Sequence, residues 1–315
     1  RKQWLENQLQ HFAAFFGIDL IAFAILSNHF HLVLRSRPDV VACWDDTKVA
    51  CHWLMICPPE KDEQGQPKEP TESDLNMIRN NPEQLTEIRR RLSDVSWWMR
   101  LLCQPLAARA NREEEQQGRF WQGRFGAVRL CDEASVLACA AYVDLNPVRA
   151  AMARTPEESA FTGAKDRIDD LKKRGAAAPS RTHDWERSRR RHRSGWLAPI
   201  EIHERSDPAG PDRSGSGRRA SDKGFLPSVS LSRYLELLDW TGRQLRLDKR
   251  GRLPPQRAPI LERLGLVPDA WCQLVRRFGK LFKRAAGSPK AIEAEVQHRG
   301  QRWMQCPGAE LFAVD

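Results

Sequence analysis

Few residues of this chain are suited to chemistry, and two of them stand together: His29 and His31 in the run SNHFHLVLRS, residues 27–36. On a β-strand alternate side chains share a face, so the two imidazoles would project together while Phe30 and Leu32 point the other way. Such a pair holds a divalent metal if an oxygen or nitrogen ligand arrives from elsewhere, and otherwise lines a polar sheet face. A metal serves catalysis beside a nucleophile, and the chain has only two tyrosines. Tyr234 lies among leucines, as a packing residue would. Tyr142 falls in the last turn of the helical stretch ASVLACAAYVDLNP, with Asn146 four residues on and therefore on the same face. A phenol flanked by alanines and followed by an amide is placed to present its oxygen beside a ligand. A second grouping, Cys51, His52 and Cys57, has the wrong spacing for the common zinc sites. The eight cysteines show no C-x-x-C pair and read as reduced, partly buried thiols of a cytosolic protein.

Several elements must position these residues. Leu5, Leu9, Phe12 and Phe16 recur at helical spacing, and Gly17 ends that helix. The apolar run IDLIAFAIL (18–26) and the run HFHLVL after Ser27-Asn28 form an antiparallel hairpin, with the histidines at the start of its second arm. Residues 38–82 read as a helical insertion: an apolar helix near Val49–Ile56, an exposed loop PPEKDEQGQPKEP, and a short helix opened by a Thr71–Asp74 capping box. Leu85, Ile88, Leu92, Val95, Met99 and Leu102 predict one long amphipathic helix that ends at Pro105. The stretch GRFWQGRFGAVRL (118–130) is β-prone. Asp132 then caps a helix that stops at Asn146-Pro147, because proline disfavours helical geometry in the residue before it.

At 315 residues the chain can hold one core of ordinary size and a second small domain. No stretch reaches the ~18 uninterrupted apolar residues of a membrane span, since Asp19 breaks the longest run, so no membrane partner is expected. An opening at Arg1 rather than at methionine implies further chain upstream. The net charge of +10 is uneven: residues 1–164 carry 19 basic and 22 acidic groups, residues 165–224 carry 16 and 10, and residues 225–315 carry 16 and 9. A basic second half on a near-neutral first is the footprint of a polyanion partner, nucleic acid being the commonest, or of a linker whose arginines keep it soluble. Residues 166–224, which include RSRRRHRS (187–194), read as a basic disordered linker, and 225–315 as a small helical C-terminal region.

Taken in order, NHFHLVL (28–34), FWQGRF (120–125) and YVDLNPVRA (142–150) resemble the single-tyrosine transposases of the His-hydrophobic-His nuclease superfamily, specifically the branch similar to REP-associated tyrosine transposases. The resemblance covers residues 1–165 and marks them as a catalytic domain. It implies an α+β fold with a ferredoxin-like antiparallel sheet and helices on one face, into which 38–82 is inserted. Family members carry a strand ahead of the first helix, which this sequence lacks from Arg1 onward, and a shorter segment at 38–82. The resemblance further implies that His29 and His31 bind Mg2+ or Mn2+, with Asn146 as a further polar ligand, and that Tyr142 attacks a single-stranded DNA phosphodiester. Arg124 and Trp121 match the family's W-x-x-R-[FY] stretch, as phosphate contact and as stacking or packing group respectively. Arg149, Arg189, Arg190 and Arg191 complete the DNA-binding candidates. The implied partner is single-stranded DNA with hairpin-forming element ends. The implied setting is the bacterial cytoplasm at the nucleoid, as monomer or homodimer.

The implied chemistry is transesterification. A free phenol, with a pKa of about 10, is a weak nucleophile at neutral pH, and a nearby divalent cation both activates it and polarises a phosphate oxygen. With two histidines alone, the substrate phosphate completes a site for oxygen-preferring Mg2+. The product is a 5′-phosphotyrosine and a free 3′ hydroxyl, with no nucleotide cofactor. Two other classes stay open: a domesticated, catalytically inactive DNA-binding protein of the same fold, and a metal-dependent small-molecule hydrolase. The hydrolase predicts no basic half and no role for Tyr142. Metal-dependent covalent capture of a single-stranded oligonucleotide separates the three.

Overall fold

The computed structural model describes residues 1–176, 194–202, 218–221, 223–227, 229–245, 259–306 and 308–312. Among them the helices are α1 (Lys2–Phe15), α2 (Pro38–Ala42), α3 (Asp46–Ile56), α4 (Glu72–Arg79), α5 (Pro82–Arg91), α6 (Val95–Glu113), α7 (Glu133–Asp144), α8 (Asn146–Arg149), α9 (Gly163–Ala176), α10 (Leu231–Leu245), α11 (Pro259–Arg263), α12 (Pro268–Leu281) and α13 (Pro289–His298). The strands are β1 (Ile18–Ile25), β2 (Phe30–Ser36), β3 (Arg129–Leu130), β4 (Glu201–Ile202), β5 (Leu226–Pro227) and β6 (Ala285–Ala286). The protein is thus a mixture of helix and strand in which helix predominates, with a small antiparallel two-stranded sheet. Every sheet among the described residues is two-stranded. No helix among them is long and apolar enough to cross a membrane.

Two compact units are built from interleaved segments. The first takes 1–21, 34–123 and 173–225, and the second takes 22–33, 124–172 and 226–315. The base of the β1–β2 hairpin therefore belongs to the first unit and its tip to the second.

In the first unit α1 buries Leu5, Leu9 and Phe12 of the predicted stripe, its fourth member Phe16 is buried just past the helix end, and Phe12 and Phe16 pack on Trp98 with ring centroids 5.2 and 5.1 Å apart. Asp19, the charge that interrupts the β1 apolar run, is almost fully buried and accepts from Arg35 (2.7 Å), Arg37 (3.2 Å) and Ser221 (3.0 Å). That ion cluster offsets the desolvation of all three charges. The Thr71–Asp74 capping box is present at the start of α4. The single helix expected over 85–102 is two, because Asp94 accepts from the Ser96 and Trp97 amides and starts α6 afresh. Nor does Pro105 end α6, which continues to Glu113. The ~3 kcal/mol that an interior proline costs is offset by anchoring beyond it. Ala110 is buried, Arg109 stacks 3.7 Å from the Trp4 ring centroid, and Arg1 pairs with Glu113 and Glu114.

In the second unit Asp132 caps α7 as predicted, in a reciprocal box with Ser135, and Leu137, Ala138, Ala140, Ala141 and Val143 are buried. The hairpin tip is tied down by Ile25 N donating to Phe161 O at 3.0 Å. Amphipathic α12 buries Trp271, Leu274, Val275 and Phe278. The β-prone run 118–130 forms a strand only at Arg129–Leu130, which pairs in parallel with β6. Gly118, Gly123 and Gly126 weaken the rest, which has no strand partner among the described residues. A helix, α9, also stands at 163–176, where the polar composition suggested that the linker begins. Its Asp166, Arg167 and Asp170 are nearly fully buried, so charge here is interior rather than solvated.

Candidate functional site

His29 immediately precedes β2 and His31 is its second residue. The Leu26 amide donates to His29 O at 2.9 Å and closes the Ser27-Asn28 turn. The exposed His29 ring has Nδ1 2.7 Å from Asn28 Oδ1, which leaves Nε2 for a ligand. His31 is half-buried, its ring centroid 5.0 Å from that of His29. Burial, then the charges of His29 and Arg149, push His31 down to about 4, so its imidazole is neutral and able to ligate at neutral pH.

Tyr142 meets this pair from α7. Its ring centroid lies 5.4 Å from that of His31, edge to face at 72°. The Arg149 guanidinium sits 4.2 Å from the phenol centroid and is held there by Nη2 donating to Arg276 O at 2.8 Å. Arg149 has no carboxylate partner among the described residues, so its charge is uncompensated there. On the other side, Phe278 lies 5.8 Å away, centroid to centroid. A Cβ added at Gly279 would stand 2.7 Å from the phenol oxygen. All of these residues belong to the second unit.

The two tyrosines differ in what their hydroxyls do. Tyr234 is fully buried and donates to Asp144 Oδ2 at 2.7 Å, so it is more than the packing residue its leucine neighbours suggest. Asp144 also accepts from the Ala164 amide at 3.1 Å, and burial raises its carboxyl to about 6. The Tyr142 hydroxyl makes no hydrogen bond to any described residue. The half-buried Tyr142 phenol thus lies beside the His31 imidazole and the Arg149 guanidinium with its oxygen uncommitted among the described residues.

No hydrogen bond or ring contact joins the other described candidates to this cluster. Asn146 opens α8 after a break at Leu145 and is 5% exposed, and its side chain has no hydrogen bond to either histidine. Arg124 is exposed, with no hydrogen bond or ion pair to a described residue. Trp121 belongs to the first unit, where its indole donates to Cys103 O at 2.9 Å and its ring packs on Phe120, a packing role. Arg189, Arg190 and Arg191 lie outside the described residues. The Cys51–His52–Cys57 grouping is not assembled for metal: His52 Nδ1 bonds Phe15 O at 2.8 Å. No group of three or more His, Cys, Asp or Glu among the described residues is placed to hold a metal. His29 and His31 thus offer two imidazole donors, with no third ligand from these residue types among the described residues. Two imidazoles alone fall short of the four ligands of a closed structural zinc site.

Arg276, Phe278 and Gly279 escape a sequence reading because they stand more than 130 positions from Tyr142. The one available signal is Gly279 itself, an isolated glycine inside an amphipathic helical pattern, where it costs about 1 kcal/mol against alanine. Comparison with protein-family models, with curated proteins and with solved structures finds no match for this chain.

Proposed function

We propose that the second unit carries the active centre of a transposase-like enzyme that cleaves and rejoins single-stranded DNA by tyrosine transesterification, akin to the REP-associated tyrosine transposases. The observation that carries this reading is the meeting of His31 and Tyr142, 5.4 Å apart, with the phenol oxygen uncommitted. The reading includes a ferredoxin-like sheet in which β1 and β2 are two strands.

In this mechanism the Tyr142 oxygen attacks a backbone phosphorus, an O–P bond forms to the phenol, and the P–O3′ bond breaks. The phenol proton is lost and the leaving 3′ oxygen gains one, so one ester replaces another without nucleotide hydrolysis. Arg149 offers its guanidinium to the phosphate oxygens, where a preorganised positive charge favours the charge-dense transition state. His29 and His31 would hold Mg2+ or Mn2+ through imidazole nitrogens, and the metal would supply Lewis-acid polarisation of a non-bridging oxygen. The partner is single-stranded DNA at hairpin-forming ends, and the setting the bacterial cytoplasm.

A non-catalytic DNA-binding role is the second reading, favoured by the packing of Phe278 and Gly279 against the phenol. The two separate when the full chain is incubated with a library of 3′-labelled single-stranded oligonucleotides in Mn2+. The transesterase leaves label on denatured protein; a binding protein leaves none.

A further inference from the structure

Between Asp269 and Glu293 the chain has no acidic residue and six basic ones. Five of these, Arg276, Arg277, Lys280, Lys283 and Arg284, fall within nine positions, and all five are exposed. Burial of Trp271, Leu274, Val275 and Phe278 turns Arg276, Arg277 and Lys280 to the opposite, outward side of α12. Like charges at this spacing repel one another. Elsewhere in the same unit such cations are neutralised, as in the pairs Arg129–Glu295, Arg243–Asp239 and Arg263–Glu133. None of the five has a carboxylate partner among the described residues. Their hydrogen bonds run instead to carbonyls, Arg276 to Gln244 O at 3.4 Å and Lys283 to Gly279 O at 3.0 Å.

The strip is continuous with the candidate nucleophile. Arg149, over the Tyr142 ring, is held by the carbonyl of Arg276, and Gly279, under the phenol oxygen, by the side chain of Lys283. The geometry points to a track for the phosphodiester backbone of a single-stranded nucleic acid, in which Arg276, Arg277, Lys280, Lys283 and Arg284 contact successive phosphates leading to Tyr142. An external polyanion supplies the compensation that the fold withholds. This deepens the function proposed above and rests on it for the choice of a single strand.

The test uses the full chain and a fluorescein-labelled twenty-nucleotide poly(dT), with binding followed by anisotropy between 50 and 200 mM salt. The triple variant Arg277→Gln/Lys280→Gln/Arg284→Gln removes three charges from exposed positions. At ~0.7 per contact on single strands, its log–log salt slope should be shallower than wild type by about 2, a difference of about 20-fold in affinity change over that range. The charge-retaining pair Arg277→Lys/Arg284→Lys should keep the wild-type slope. An unchanged slope in the triple variant, or wild type that ignores the oligonucleotide at 50 mM salt and binds anionic vesicles instead, overturns the track. Covalent trapping is measured in parallel in Mn2+ with the library of 3′-labelled single-stranded oligonucleotides at saturating concentration. A steep wild-type slope that flattens in the triple variant, without trapping in either protein, upholds the track and rejects the transesterase.

Discussion

Gly279→Ala probes the packing around the candidate nucleophile. In an exposed helix interior alanine is better than glycine by about 1 kcal/mol. Here the new methyl would stand 2.7 Å from the Tyr142 oxygen and 3.4 Å from the carbon that bears it. The ring has little freedom to retreat between His31, Phe278 and Arg149. Overpacking of this kind costs about 1–3 kcal/mol, so the substitution should be neutral or destabilising by up to about 2 kcal/mol. In a Tyr142→Phe background the oxygen is gone and the helix-propensity gain of about 1 kcal/mol should emerge. The coupling energy of the cycle is then about 1–3 kcal/mol. Native-state hydrogen exchange of α7 and α12 amides in the four proteins measures it within the second unit. Additivity within about 0.5 kcal/mol would mean that the phenol oxygen does not lie against Gly279, and the description of the site would be wrong.

Other expectations concern the metal, the buried acid and the histidines. His29→Ala and His31→Ala should each abolish trapping, as should a chelator, while circular dichroism of the chelated protein stays native; melting on chelation would make the pair structural. Tyr234→Phe should leave buried Asp144 without its hydroxyl donor and destabilise the second unit by about 1–3 kcal/mol, read by denaturant unfolding, while trapping persists in the folded fraction. Burial lowers His52 to about 4, against an ordinary 6.5, so the unfolded chain binds a proton that the folded one refuses between those values. Stability of the first unit should therefore be full above pH 6.5 and fall towards pH 4, by at most about 3 kcal/mol from this residue. A His52→Gln variant with an equally steep acid limb would exclude it as the cause.

The sequence reveals most where a signal is local. The α1 stripe, the Thr71 and Asp132 caps and the hairpin with its two histidines all rest on residues a few positions apart, and all are present. Distant contacts override local rules elsewhere. Pro105 stays inside α6 because Arg109 and Glu113 are held by Trp4 and Arg1, more than a hundred positions away. The polar composition of 165–176 conceals α9 because a charge buried inside the fold has the same letter as a solvated one. At the site, the types and spacing of His29, His31 and Tyr142 point to one another, but the Arg149 stacking and the α12 cover arise only in three dimensions. That cover also changes what truncation can test. Removing 166–315 would strip α12 from α7 and leave bare the α7 face that it covers, so loss of activity in such a fragment would report unfolding rather than lost DNA affinity.

The central claim is that the Tyr142 oxygen becomes bonded to DNA phosphorus, and locating the bond tests it most directly. Wild-type chain is reacted with 3′-labelled single-stranded DNA in Mn2+, the denatured adduct is digested with nuclease and protease, and the modified peptide is sequenced by mass spectrometry. A nucleotide 5′-phosphate is expected on Tyr142, and no adduct with Tyr142→Phe, which cannot form the ester. A nucleotide on any other residue, or strand cleavage that persists in Tyr142→Phe without an adduct, would contradict that claim and assign the attack to a different group or to water.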